Sequence, residues 1–321
     1  MIGPARVAGV DIGTNSVRLL IAEATPGDRN PALLTLRRLM TITRLGQGVD
    51  ERGVLSADAV ERTAAALRGY RELMRREKVE AWEVVATSAA RDAANAGEFL
   101  DLVWEIMEVE PRVLSGAEEA RLSFTGATYD LGELRPRVGP ILVVDIGGGS
   151  TEIILGGDEG ILEEHSLDVG CVRMSERFLA SDPPRARELR EMEEYVRSAL
   201  SPACGHISRR SPELMVGLAG TVTTLSGLVQ GLQRYDGEAI HHSWLTREEV
   251  EALYARLSSL PLAERRDFMR LEPGRSDVIV GGTGVLLVLL RELGWERLLV
   301  SEKDILDGLA IAAAAGMDAS A

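Results

Sequence analysis

The sequence predicts an α/β protein made of two related domains. Three observations carry that prediction. At 321 residues the chain exceeds one ordinary core and suits two domains of about 100–200 residues each. A short pattern recurs a domain's length apart: Val10–Ser16 (VDIGTNS) returns as Val144–Ser150 (VDIGGGS), at a constant offset of 134 residues. The segments around it alternate between strand-like and helix-like patterns, as a mixed sheet with covering helices requires.

Each copy reads as strand, glycine-bearing turn, strand, because apolar residues precede each Asp and Val17, Leu19–Ile21 or Ile153–Leu155 follow. Ala32–Ile42 continues as a further strand. Ser56 caps a helix through about Glu77 with Val60, Ala64, Leu67 and Leu73 on its apolar face. Trp82–Thr87 reads as a short buried strand, Ala94–Met107 as a helix and Pro111–Leu114 as a strand. The last leads into Ser115-Gly116-Ala117-Glu118, a capping-box pattern that opens another helix. Gly132–Pro140 is loop-like and introduces the second hairpin. Pro183-Pro184 and Pro202 bracket a charged helix. Leu214–Leu218 is a strand entering Ala219-Gly220-Thr221 and a helix, and Thr246 with Glu249 caps the helix over Val250–Leu257. Leu298–Ser301 and Ile305–Ala315 are the final strand and helix.

Composition narrows the function classes. Hydrophobic residues at 45% and charged residues at 27% describe a globular protein. Cys171 and Cys204 offer neither a disulfide framework nor a C-x-x-C metal spacing. The apolar stretch Val278–Leu290 is shorter than the roughly 20 residues of a membrane span, and no signal-peptide core follows the N-terminus. The expectation is a cytoplasmic protein with no membrane partner. With 36 Lys+Arg against 50 Asp+Glu, the net charge of −14 argues against nucleic-acid binding. A polyanionic ligand would have to be held locally, by arginines, backbone N–H groups and cations.

The hairpin turns supply such holding points. Gly13-Thr14-Asn15-Ser16 and Gly147-Gly148-Gly149-Ser150 each aim several N–H groups and hydroxyls at one point, a concavity for phosphate oxygens. Asp11 and Asp145, at the strand ends, suit Mg²⁺, directly or through water. Seven residues on stand Arg18, suited to a phosphate, and Glu152, suited to Mg²⁺ or an attacking water. Gly220-Thr221 opens a helix whose N-terminus favours anions. Gly281-Gly282-Thr283-Gly284 is read as close packing of a buried helix. If Ser115 is the N-cap, Glu118 is consumed in the capping box, while Glu119, turned about 100° away, is available for other chemistry. His241-His242 lies in a polar loop without a further ligand at metal spacing.

Taken together, Asp11–Ser16, Asp145–Glu152 (DIGGGSTE) and Ser115–Leu122 (SGAEEARL) resemble the exopolyphosphatase and guanosine pentaphosphate phosphatase family. Ala86–Ala93, Val169–Arg173, Leu218–Thr221 and Val300–Glu302 match it too, in order over nearly the whole chain. The resemblance implies an actin-like α/β fold of two ribonuclease-H-like domains with an interdomain cleft, here 1–125 and 126–304. The final helix, about 305–321, would pack back on the first. It implies Glu119 as catalytic base, Asp145 and Glu152 as Mg²⁺-associated acids (Mn²⁺ being an alternative ion) and Arg91 as a phosphate contact. It also implies the short form of the family, as a homodimer. Lys303 stands where relatives carry a small residue.

The leading expectation is release of terminal orthophosphate from inorganic polyphosphate. The sister reaction, guanosine pentaphosphate to tetraphosphate, presents the same terminal phosphoanhydride, and guanosine tetraphosphate is a candidate regulator. No aromatic adjoins a phosphate motif in the sequence, which tilts the choice towards polyphosphate. An actin-like kinase or ATPase would need an adenosine pocket, and a binding module would not need Glu119, Asp145 and Glu152 together.

Overall fold

The computed structural model describes residues 4–27, 31–157 and 159–318. They form two compact units, one comprising the chain up to Asp130 and from Lys303 onward, the other Leu131–Glu302. The first boundary falls after Asp130 because the helix Gly116–Thr128 runs unbroken through residue 125. The C-terminal helix Ile305–Asp318 packs within the first unit, and residues 319–321 of its expected span lie outside the described residues.

In the first unit, β1 (Ala5–Ile12), β2 (Ser16–Thr25), β3 (Ala32–Ile42), β4 (Ala81–Ala86) and β5 (Arg112–Val113) form a sheet in the order β3–β2–β1–β4–β5. The β1–β2 and β2–β3 pairs are antiparallel, and β4 and β5 join in parallel, which makes the unit ribonuclease-H-like. Being central, β1 is covered on both faces and reads as an apolar run. Ala8, Val10 and Ile12 face the helices Ala57–Arg76 and Ala96–Met107 through Leu67, Met74, Phe99 and Val103. Each such large side chain, fully buried, stabilises by about 1.5–3 kcal/mol. Val7 faces the opposite way, onto Leu306, Leu309 and Ala310 of the C-terminal helix. Gly9 shares that second face, where an added Cβ would meet Leu309 Cβ at 2.8 Å. Side-chain alternation therefore puts Asp11 on the face of the C-terminal helix as well.

The stripe buried by the Ala57–Arg76 helix is rotated from its aliphatic pattern. It includes Tyr70 and Arg71, while Val60 and Leu73 are half-buried flanks. Tyr70 donates to Val17 O at 3.1 Å, and the Arg71 guanidinium lies 4.3 Å from the Trp82 ring centre with Nη2 donating to Glu108 Oε2 at 2.5 Å, while its buried Nε makes no hydrogen bond.

The second unit repeats the order. Its strands are β6 (Ile141–Ile146), β7 (Thr151–Gly157), β8 (Gly160–Leu167), β9 (Leu214–Leu218), β10 (Trp244–Thr246) and β11 (Arg297–Val300). The sheet runs β10–β11–β9–β6–β7–β8, so β8–β7–β6–β9–β11 copies the first unit and β10 is an added edge. Pro202 lies inside the helix Ala186–Ser208 rather than at its end. Its exposed face accepts the lost hydrogen bond, while Ala203, Cys204 and Ile207 continue the buried stripe beyond it. The helix Ile279–Leu293 is buried along its glycine face. A Cβ at Gly281, Gly282 or Gly284 would meet Ser175 Oγ at 2.5 Å, Thr221 Oγ1 at 2.4 Å or Met192 Cε at 2.4 Å. The glycines serve packing, and among the described residues no helix is long and apolar enough to cross a membrane.

Candidate active site

Both hairpins end in the same turn. Gly13 N donates to Ser16 O and Gly147 N to Ser150 O, each at 3.0 Å. In the first unit the loop is tied back by its carbonyls: Thr43 N and Arg44 N donate to Asn15 O at 3.1 and 2.9 Å, and Gly46 N to Thr14 O at 2.9 Å. Thr14 Oγ1 shares a 2.8 Å hydrogen bond with Ser88 Oγ, at the start of the short helix Ser88–Asp92 that carries Arg91. Arg91 Nη1 then donates to Leu114 O at 2.9 Å and reaches Glu119 Oε2 at 3.4 Å. The first unit thus brings Thr14, Arg91 and Glu119 into one bonded chain of contacts.

Ser115 caps the Glu119 helix as its sequence requires. Ser115 N donates to Glu118 Oε2 at 2.9 Å and Glu118 N to Ser115 Oγ at 3.3 Å, closing the capping box. The Ser115 backbone N–H, with its hydroxyl, holds the Glu118 carboxyl below its ordinary range. Glu118 is exposed; Glu119, one position on, is buried with only 9% of its surface accessible. Neighbouring glutamates on one helix turn are therefore separated into one spent on the cap and one buried beside Arg91.

Arg18 and Asp11 stand differently from expectation. They are cross-strand partners, and Arg18 Nε and Nη2 both donate to Asp11 Oδ2, at 2.9 and 2.6 Å, while Nη1 donates to Asp304. The guanidinium that was expected on a phosphate is directed at two carboxylates, and Asp11 offers a cation only what Arg18 leaves. Burial pushes the Asp11 carboxyl above its ordinary value, against the Arg18 charge.

The second hairpin has no such neutralisation built into its register, since Asp145 pairs across the strands with Glu152. Both are buried, Glu152 completely, and Glu152 Oε1 accepts from Ser166 Oγ at 2.8 Å. Two adjacent carboxylates backed by a hydroxyl form an oxygen donor set of the kind Mg²⁺ takes. The loop is again tied back: Cys171 N donates to Gly147 O and Val172 N to Gly148 O at 2.9 Å, and Arg173 Nε to Gly149 O at 2.9 Å. Gly170 permits this approach, for a Cβ there would lie 2.4 Å from Gly148 O. The Val169–Arg173 segment thus buttresses the phosphate-type loop.

At the third glycine turn, Ala219 adopts a left-handed φ of 64° between β9 and the helix Ala219–Val229. Thr221 is buried, with its hydroxyl beside Gly282 and Cys171, not displayed as an anion donor. A Cβ on Gly220 would come within 2.0–2.2 Å of the Arg275 guanidinium. Arg275, Ser166 and Asp304 are contacts that the sequence reading missed, since each meets its site only through the fold. Tyr235 is a further one: its hydroxyl donates to Glu302 Oε1 at 2.6 Å and also bonds Thr223, and the residue is 42% exposed. An aromatic does adjoin the third turn, contrary to the sequence-based expectation.

The model of the Ppx/GppA phosphatase family matches residues 20–313. Exopolyphosphatase 2 of Mycobacterium tuberculosis is 43% identical over 318 residues, covering 96% of this chain and 98% of that protein. Among solved structures, an exopolyphosphatase-like protein superposes with a TM-score of 0.89 at 34% identity, over 97% of this chain and 98% of that one. The Aquifex aeolicus member of the Ppx/GppA family gives 0.80 at 33% identity, over 98% and 99% of the two chains.

Proposed function

This chain belongs to the Ppx/GppA phosphatase family, and from that premise we propose that it is an exopolyphosphatase, releasing orthophosphate from the end of inorganic polyphosphate. The observation that carries the reading is the buried Glu119, held by Arg91 on a helix whose other glutamate is spent on the cap. Glu119 accepts a proton from a water molecule as that water attacks the terminal phosphorus in line. The bridging P–O bond breaks, and orthophosphate separates from a chain one unit shorter. Arg91 and the amide edges of Thr14–Ser16 hold phosphate oxygens, where fixed dipoles and charges stabilise the developing charge, and Gly147–Ser150 offers a phosphate cradle of the same kind. Asp145 and Glu152 would hold Mg²⁺, or Mn²⁺ in its place, and the ion would neutralise phosphate oxygens so that an acidic protein could accept an acidic chain. Ser166 orients Glu152 for that purpose.

Tyr235 favours a second reading. A half-exposed tyrosine beside the Ala219–Val229 helix offers an aromatic for stacking a guanine base, which makes guanosine pentaphosphate the second substrate candidate.

Following the reaction by ³¹P NMR tests the proposal. Orthophosphate grows from the first time point, before any mid-length fragments appear, and EDTA stops the reaction. E152Q raises the Mg²⁺ concentration for half-maximal rate by about 10–100-fold, as loss of a metal-holding group does. Early accumulation of mid-chain fragments, or an unchanged Mg²⁺ requirement in E152Q, contradicts it.

A further inference from the structure

Asp11 is one end of a buried chain of charges in the first unit. Arg18, having bound Asp11 Oδ2, turns Nη1 to Asp304 Oδ2. Asp304 Oδ1 accepts from Leu306 N at 3.0 Å and from Arg38 Nη1 at 3.2 Å. Arg38 continues to the fully buried Asp307, which accepts from Asp304 N at 3.0 Å and lies 3.5 Å from Lys303 Nζ. Carboxylates and cations alternate from β1 through β2 and β3 to the start of the C-terminal helix. Lys303, without a role in the sequence reading, closes the far end.

The near end shows a purpose. Asp11 Oδ1 is buried and accepts no hydrogen bond, and in the same loop the buried Asn15 Nδ2 donates none. A buried polar atom left unmet is costly, so a loop carrying one acceptor and one donor in that state is shaped for a ligand that meets both. A phosphate ligand with its hydrated divalent cation would supply both kinds of partner, a donor for Oδ1 and an acceptor for Nδ2. A guanidinium bound to Asp11 alone could pair with either oxygen. Anchored at its other end, the planar fork has one orientation.

We infer that Asp304 is a positioning residue for Asp11: by fixing the far side of Arg18 it determines that Oδ2 is consumed and Oδ1 is presented. This rests on the proposed phosphoanhydride chemistry for its effect on rate, but not for its effect on geometry.

The test compares D304N, D11N and the double variant, measuring kcat and KM for phosphate release from medium-length polyphosphate, with a crystal structure of D304N. D304N preserves the shape but faces Arg18 with an amide. Its kcat falls by about 10–100-fold, the scale of an ångström-level misplacement, with KM within about threefold. The double variant loses no more than D11N, because Asp304 acts only through Asp11. In the crystal the Asp11 carboxylate is rotated. Multiplying losses in the double variant, a D304N kcat equal to wild type, or an unmoved Asp11 carboxylate each overturns the inference. If D304N does not fold, R18K, which keeps the charge and loses the fork, is read in the same way. Wild-type protein that releases no phosphate sinks the proposed function instead, and the crystal structure still decides the positioning.

Discussion

The E119Q variant turns over about 10²–10⁴-fold more slowly than wild type while its affinity for polyphosphate stays within a few-fold, since a general base contributes about that much to rate and little to ground-state binding. Gln keeps the size of Glu119 and its reach to Arg91, so the loss is chemical. E118Q supplies the contrast one residue away. Gln serves as well as Glu at the third position of a capping box, so E118Q keeps both the helix and the rate. Isothermal titration of E119Q with polyphosphate, beside steady-state rates for both variants, makes the comparison. Equal rate losses in the two would mean that the helix terminus matters and the individual carboxylate does not.

The second large effect is on stability. G126A unfolds at a temperature lower by about 5 °C or more in a thermal melt, because domains of this size lose roughly 2–4 °C per kcal/mol. In an isolated helix the change would help by about 1 kcal/mol. Here an added Cβ would lie 1.8 Å from Asp304 O and 3.0 Å from Gly308 N, both backbone atoms. The facing Gly308 is equally tight, its Cβ meeting Leu122 O at 2.3 Å. Relief requires the helices Gly116–Thr128 and Ile305–Asp318 to separate, and overpacking of that kind costs about 1–3 kcal/mol or more, which outweighs the propensity gain. Because the first of these helices carries Glu119 and the second begins at the Asp304 network, the packing also sets the site. A melting temperature equal to or above that of wild type would show that the contact yields cheaply.

Local rules made much of this legible in advance. The turn chemistry of Gly13–Ser16 and Gly147–Ser150 announced both hairpins, and Ser115 with Glu118 announced the cap that leaves Glu119 distinct. Those signals span seven residues or fewer. What stayed hidden depends on distant meetings. Arg18 looked like a phosphate ligand because its partner Asp304 is 286 positions away. Ser166 reaches Glu152 only through the β7–β8 register, which shifts between Leu155 and Gly156. Thr221 looked like a donor on a helix N-terminus until Gly282 and Cys171 closed over its hydroxyl. Pro202 looked like a stop because proline costs a helix hydrogen bond, and the buried stripe that outweighs this cost is formed by packing on the distant helix Ile279–Leu293.

Phosphate release measured side by side from medium and long polyphosphate, guanosine pentaphosphate and ATP, with Mg²⁺ or Mn²⁺, tests the central claim most directly. Exopolyphosphatase activity predicts polyphosphate first, guanosine pentaphosphate second and ATP well behind. A ranking with ATP first, or tight polyphosphate binding without any phosphate released, would contradict it.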